Sequence, residues 1–421
     1  MYEHEVLDYV QSISPSLRGR FIVDDDVECR EIGDGNLNLV YLLRDSRGDA
    51  LCVKKALPYV RMVGRGWPLD VNRVDREHMS LNIFGKVAPG SVPTVYAGDA
   101  ARHTIVMEAL LPGKTARSRS VEGLECPGIG EAIGSFVGKI ARDCSPAGVR
   151  ALGYDPDDRE FRNENMSDIT RALVFEEPYS ESVSRNWFPQ DLAESVARFR
   201  SCSAVVAAAL HARDIFEDKQ EALIHGDLHT GSVMRLSSGV HVVFDTEFCR
   251  FGPAMFDLGV FMANVVFAAI RARQNAGVGS CLRWLQEAES SWSRFARTTA
   301  LLDVDDEGGD RSREYLRELG EFCVVELARR VIGLAKVPEL EDFRSRQGCD
   351  AGRYALRCAE LVAECTQDSE LSIGTYIDSV HHALWAAGCF SDSACFVFQA
   401  ALVKSRSSRS TSFGVRYPRA E

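Results

Sequence analysis

The sequence predicts an α+β chain of two lobes, a small β-rich N-terminal lobe followed by a larger, mainly helical one. Three observations lead there. Short apolar runs broken by turn residues dominate the first hundred residues. A Pro-Gly break at Pro112 and Gly113 follows the Met107–Glu108 run. Beyond it, long stretches place apolar residues at helical spacing.

In the first lobe, Cys29 to Ile32 reads as a strand entering a glycine-bearing turn, and Leu37 to Leu43 as the strand leaving it. Ala50 to Val53 is a third strand, ending at Lys54, and Ile105 to Met107 is another. Between them Leu69 to Phe84 reads as a helix, because Val71, Val74, His78 and Leu81 fall near the helical period. In the second lobe, Gly130 to Arg142 and Leu192 to Ala212 read as helices, with short β-like interruptions near Leu223 and at Val240 to Phe244. The expected division is 1–108, 109–404 and a Ser- and Arg-rich, flexible tail at 405–421.

The chain has 421 residues, with 49 Lys and Arg against 61 Asp and Glu, a net charge of −12. With 45% hydrophobic and 26% charged residues it has the make-up of a folded protein. The acidic balance argues against a nucleic-acid partner, which requires a basic face to displace counterions. Thirteen cysteines cannot all pair within one chain, and none stands at Cys-x-x-Cys spacing. The closest pairs, Cys358/Cys365 and Cys389/Cys395, give no zinc-site pattern. Residues such as Cys52 and Cys323 sit in apolar runs and read as small hydrophobes in a reducing cytoplasm. The N-terminus is acidic and has no signal-peptide pattern. The most apolar stretch, Leu258 to Ile270, is read as too short for a bilayer and as a buried core helix, so no membrane partner is expected.

Four signals carry chemistry. The first is Gly33-Asp34-Gly35-Asn36-Leu37-Asn38 between two strands. Glycines there let backbone N–H groups approach phosphate oxygens, although the same pattern also marks plain hairpins. It is neither a dinucleotide fingerprint nor a Walker loop, since no helix opens after it and no Gly-Lys-Ser/Thr follows. The second is Lys54, placed to reach inward to phosphates, with Glu77 on the following helix as its expected ion-pair partner. Strand alternation puts Lys54 and Lys55 on opposite faces.

The third is His225-Gly226-Asp227-Leu228-His229-Thr230-Gly231-Ser232. A short apolar approach delivers a tight turn presenting Asp227, a carboxylate able to orient a hydroxyl and accept its proton. A His225/His229 metal pair is the competing reading; the Gly and Asp between them suit a turn better than the helix such a pair needs. The fourth is Asp245-Thr246-Glu247, eighteen residues after Asp227, at the end of an apolar run. In extended geometry both carboxylates would face one side and share a hard cation such as Mg²⁺. Asp257 heads the apolar helix that follows and reads as support for the Asp227 turn. Arg329 and Arg330 stand side by side in the apolar run Cys323 to Val337, which is costly unless an anion or fixed acceptor meets them. An ion pair of one arginine with Glu326 is the plain alternative.

Phosphate loop, strand lysine, catalytic carboxylate and metal carboxylates, in that order, are the parts of a protein-kinase-like phosphotransferase. Within that fold the sequence resembles the S-methyl-5-thioribose kinases, in the branch shared with choline and aminoglycoside phosphotransferases. The resemblance rests on Glu31 to Asn38, the run after Lys54, Gly64 to Leu69, Val106 to Glu108, His225 to Ser232, Asp245 to Phe248, Gly252 to Gly259 and Ala328 to Ala335. It implies transfer of the ATP γ-phosphate to the 1-hydroxyl of 5-methylthioribose, in methionine salvage, by a homodimer. It implies Asp227 as catalytic base, Asp245 and Glu247 as Mg²⁺ ligands, with Ser232 a further candidate ligand where generic kinases place Asn. It puts Lys54 and the loop Gly33–Asn38 on the ATP phosphates and the Met107–Glu108 backbone on adenine. Trp67 would close over the site, Arg329 and Arg330 would face sugar and phosphate, and Glu77, His225 and Asp257 would support these groups.

Three departures from that family stand out: Ala109 after Glu108, Thr246 between Asp245 and Glu247, and Lys336 where a His is usual. They leave every catalytic group in place and bear on the sugar's 5-substituent. A kinase of another furanose, nucleoside-like or aminoglycoside-like acceptor shares the pattern, as would a catalytically silent nucleotide-binding regulator.

Overall fold

The structure, a computed structural model, describes residues 3–17, 19–24, 26–32, 37–61, 64–301, 310–340 and 346–386. The first lobe is built on β1 (Glu28–Glu31), β2 (Asn38–Arg44), β3 (Ala50–Ala56), β4 (Val95–Asp99) and β5 (Thr104–Glu108). They form one antiparallel sheet in the order β1-β2-β3-β5-β4. Its two faces separate by strand alternation. Leu43, Leu51, Val53 and Val106 pack under α1 (Glu3–Ser12) through Val6, Tyr9 and Val10. Ala56, Ile105 and Met107 join the core that includes Val74, Leu81 and Phe84 of α2 (Arg73–Val87).

The helix expected from Leu69 begins at Arg73, after Asn72 as N-cap. The strand expected to end at Lys54 runs on to Ala56. The sequence reading had not anticipated α1 or β4. The latter contains Gly98 and is irregular between Val95 and Ala97, so its alternation is broken just where a short strand needs it.

The second lobe opens with β6 (Gly113–Thr115) and α3 (Ala116–Val121), which is capped by the Thr115 hydroxyl accepting from the Ser118 N–H. Then come α4 (Ile129–Asp143), α5 (Pro146–Ala151), α6 (Glu164–Thr170), α7 (Ala193–Ser201) and α8 (Ser203–Asp218). The single helix expected over Leu192 to Ala212 is thus two, parted where Cys202 adopts an extended backbone. Next are β7 (Ala222–Ile224), β8 (Val233–Leu236), β9 (His241–Val243) and β10 (Arg250–Gly252), followed by α9 (Ala254–Asn275), α10 (Val278–Thr298), α11 (Asp310–Ile332), α12 (Arg346–Cys365) and α13 (Ile373–Ala386). Two small sheets, β6-β8-β9 and β10-β7, hold the loops that face the first lobe.

Helix α9 corrects one expectation. It has 22 residues and is long and apolar enough to cross a membrane, yet 94% of its apolar window is buried inside the protein. It is the core helix of the second lobe. Phe256 meets Phe322 of α11 edge to face at 5.3 Å. At Gly259 a Cβ would come within 2.6 Å of the Phe322 Cβ, so only glycine admits this helix approach. The eleven described cysteines are all free thiols. Cys389, Cys395 and the 405–421 tail lie outside the described residues.

Candidate active site

The site forms where β3 and α2 of the first lobe meet the loops after β7 and β9. Lys54, on the α2 side of β3, is buried. Its Nζ lies 2.6 Å from Glu77 Oε2 and also contacts Asp245 Oδ1 across the lobe boundary. Burial works against the ammonium charge, but Asp245 and Glu77 outweigh it and hold Lys54 protonated well above its ordinary value. Lys55, on the other face, donates to the Arg102 carbonyl at 2.7 Å.

The Asp245–Glu247 segment is not extended. Strand β9 stops at Val243, and Asp245 adopts a left-handed backbone with φ 69°, a conformation Asp tolerates better than most residues. The turn leaves the Asp245 side chain 41% exposed beside Lys54. Thr246 is buried, its hydroxyl 2.6 Å from that of Ser80 on α2. Glu247 lies elsewhere than expected: it is buried and receives Arg73 Nε at 2.8 Å and Asn38 Nδ2 at 3.0 and 3.1 Å. The two carboxylates therefore do not share one open position. Asn38, expected at the phosphates, is used to hold Glu247.

Arg73 is the residue the sequence reading missed. It is fully buried and also donates to the carbonyls of Leu37 (2.5 Å) and Asp70 (2.9 Å) and to Asn38 Oδ1 (3.0 Å). It thereby ties the exit of the glycine-bearing turn to Glu247. A basic residue in the first turn of a helix opposes the helix dipole, and that was the only hint available. Gly33, Asp34, Gly35 and Asn36 themselves lie outside the described residues.

The Asp227 turn is fastened from three sides. Gly226 has φ 85°, and a Cβ there would lie 2.2 Å from the Phe248 carbonyl oxygen. Asp257, in the first turn of α9, accepts the His225 and Gly226 N–H groups at 2.7 and 2.9 Å. The His225 ring lies 3.0 Å from the Phe244 carbonyl through Nε2 and accepts the Asp227 N–H through Nδ1 at 3.3 Å. Both ring nitrogens are thus engaged, which removes the His225/His229 metal reading. Ser232 is buried; its hydroxyl accepts from the His229 N–H (3.0 Å) and donates to the His229 carbonyl (2.8 Å). It pins the turn rather than facing an open cation position.

The arginine pair reaches this turn from the last turn of α11, where positive charge suits the helix dipole. Arg329 Nη1 stands 3.3 Å and Arg330 Nη2 3.6 Å from Asp227 Oδ1, and His229 Nε2 stands 3.6 Å from Asp227 Oδ2. Burial alone would raise the Asp227 pKa; the field of His229, Arg329 and Arg330 outweighs it and holds the carboxyl well below the usual carboxylate range. Burial, with Arg117 beside it, pushes His229 well below its ordinary value. The imidazole is therefore neutral at pH 7 and adds its charge only in more acidic solution, where the carboxyl would otherwise protonate; at pH 7 the two guanidiniums are the cations beside Asp227.

The loop around Trp67 returns by a bridge between Tyr59 and Pro68. The Arg185 guanidinium lies 4.8 Å from the centre of the Trp67 ring, joining this first-lobe loop to the second lobe. Lys336 donates to the Val331 carbonyl at 2.6 Å and lies over Trp187 at 5.5 Å; burial pushes its ammonium down to about 7. Met107 is buried opposite Cys52, and the Glu108 N–H donates to the Thr94 carbonyl at 2.8 Å.

Among the described residues no group of three or more His, Cys, Asp or Glu side chains is arranged to hold a metal ion unaided. The half-exposed Asp245 carboxylate, next to Lys54, fits Mg²⁺, which keeps waters and uses substrate phosphates for most of its shell.

Residues 28–289 match the phosphotransferase enzyme family. The chain is 32% identical over 340 residues to a methylthioribose kinase of Bacillus cereus, covering 78% of this chain and 84% of that one. It is 33% identical, at the same coverage, to a methylthioribose kinase of Bacillus thuringiensis subsp. konkukian. Among solved structures, an ethanolamine kinase of Plasmodium vivax aligns with a TM-score of 0.44 at 14% identity, over 83% of this chain and 87% of that one. By family match and relatives, the chain belongs to the phosphotransferase enzyme family and is an ATP-dependent small-molecule kinase.

Proposed function

We propose that the enzyme transfers the ATP γ-phosphate to the 1-hydroxyl of 5-methylthioribose, a step of methionine salvage. One observation carries the reading beyond family membership: two guanidiniums converge on Asp227, and the adjoining loop, tied to that turn through His225 and the Phe244 carbonyl, brings Asp245 to Lys54. A furanose hydroxyl placed on Asp227 then has cations on both sides of the phosphoryl group it attacks. The names of the relatives supply the sugar.

In this reading Asp227 is the catalytic residue. It is ionised, so its first task is to orient the hydroxyl; it accepts the proton as the oxygen–phosphorus bond forms. Lys54 holds the ATP phosphates, and Arg329 and Arg330 offset charge on the group in transit. Mg²⁺, when bound, supplies further neutralisation of the phosphates, with Asp245 as its carboxylate ligand. Glu247, engaged by Arg73 and Asn38, adds its negative charge at the same end of the cleft. The Met107–Glu108 backbone takes the adenine, and the Trp67 loop excludes water from the acceptor. We assign the lobes to 1–108 and 109–404, and infer a homodimer in a reducing cytoplasm from the family resemblance and the free thiols.

A second reading, a kinase of another furanose or nucleoside-like acceptor, is favoured by Lys336 beside Trp187 in place of the usual His. Incubation with ATP, Mg²⁺ and a panel of pentoses, nucleosides and aminoglycosides, followed by phosphorus NMR, separates the two. The expected result is phosphate on C1 of methylthioribose. Transfer to another acceptor with none to methylthioribose rejects the first reading.

A further inference from the structure

Two adjacent residues on a helix point about 100° apart, yet Arg329 and Arg330 both reach one oxygen of Asp227. Something must aim them. Glu326, one turn earlier on α11, is fully buried, and each of its oxygens takes one arginine. Arg329 Nη1 meets Oε2 at 3.2 Å and Arg330 Nε meets Oε1 at 2.6 Å. These are the i,i+3 and i,i+4 neighbours that a helix brings together. Asn264 of α9 fixes the carboxylate from the far side, donating Nδ2 to Oε1 at 3.2 Å. Asn264 is itself held: its Nδ2 also bonds the Val260 carbonyl (2.9 Å) and its Oδ1 accepts Arg117 Nη2 of α3 (2.7 Å).

We infer that Glu326, oriented by Asn264 and Arg117, is a positioning residue for the phosphoryl transfer: it aims the two arginines at the reacting hydroxyl and balances half of their charge. A carboxylate with no further task would be an expensive thing to bury beside a second one, Asp227, on the same guanidiniums. Its use is geometric. Without it Asp227 is the one carboxylate within 4 Å that each guanidinium keeps among the described residues, and the substrate would have to displace both from the oxygen it needs. With it, the arginines retain an anchor while a hydroxyl and a phosphoryl oxygen take their other donors. The ion pair with Glu326 and the approach to Asp227 are thus parts of one arrangement.

The inference rests on the reading that Arg329 and Arg330 serve the transferred phosphate, and the test separates the two. Glu326→Gln keeps the shape and loses the charge. Steady-state assays use ATP and methylthioribose, or whichever acceptor the panel returns. The expected result is a fall in kcat of about 10- to 100-fold, the range that slight misplacement produces, with ATP affinity by direct titration unchanged. Asn264→Ser, a milder change, should give the same split with a smaller factor. A double-mutant cycle of Glu326→Gln with Arg329→Lys should be strongly non-additive. Unchanged kcat in folded Glu326→Gln, additive effects in the cycle, or a parallel loss of ATP affinity would each overturn the positioning role. Full activity in Arg329→Lys, with phosphate still transferred, would instead overturn the arginine reading itself. If Glu326→Gln does not fold, Asn264→Ser carries the same test, and its unchanged kcat overturns the proposal.

Discussion

The cleft has two charged halves built on opposite plans. On the side proposed for the nucleotide, besides the first-lobe pair Lys54–Glu77, a set of strong pairs crosses between lobes: Lys54 to Asp245, Arg73 and Asn38 to Glu247, Ser80 to Thr246. On the acceptor side the pairs stay within one lobe, on α3, α9, α11 and the Asp227 turn. The first set exists only while the lobes are apposed, and it makes that apposition favourable. The second is rigid by itself, because α9 and α11 are packed through Phe256, Gly259 and Phe322. In the proposed reaction, the groups around the reacting oxygen lie within the second lobe, and those assigned to the nucleotide lie across the lobe boundary.

Changes to each half should therefore fail differently. The largest effect is expected from Asp227→Ala: turnover falls by about 10²–10⁴-fold while ATP titrates with near-native affinity, since no nucleotide-side contact is altered. Near-native turnover would remove Asp227 from the chemistry. Lys54→Met should lower kcat/KM for ATP by about 10²-fold with the sugar KM little changed; an equal rise in the sugar KM would show that the halves are not separable.

Arg73→Met leaves Glu247 buried without its cation. Urea unfolding should report a loss of about 3–5 kcal/mol, with part of it recovered in Arg73→Met/Glu247→Gln. No recovery would mean that Arg73 acts through the Leu37 and Asp70 carbonyls instead. The smallest expected effect is a pH shift. Asp227 must be ionised to accept a proton, so activity is lost as pH falls through its pKa. With that pKa held down by His229 and the two arginines, the wild-type kcat/KM profile should show no Asp227 limb above about pH 4. In Arg329→Met, burial gains ground and the Asp227 carboxyl should titrate at higher pH than in the wild type, read by carbon-13 NMR of the carboxyl rather than by activity. An unchanged titration would sever Arg329 from Asp227.

The site was legible to different depths in its two halves. Lys54, Asp227 and the arginine pair stood out by residue type and order, because an apolar setting makes charge conspicuous, and the fold gives each an oppositely charged partner. The Lys54–Glu77 pair follows from one strand and the next helix. Asp245 and Glu247 were expected to face one side, and the structure parts them: alternation assumes a strand, and the chain turns left-handed at Asp245. Arg73 was invisible, since its partner Glu247 stands 174 residues away. Ser232 and Asn38 drew attention as motif members, and their atoms turn out to be engaged in local and interlobe fastening.

The sequence by itself determined the two-lobed α+β class, the main strands and helices, and the residue types bearing charge. These depend on periodicity and composition, which are local properties of the chain. Tertiary structure alone decided which charges meet. Whether a buried arginine faces a ligand or a partner depends on the donors and acceptors around it, and those come from distant segments. Glu326 is the clearest case. From the sequence it competed with the substrate for one arginine; in the fold it holds both and points both at Asp227.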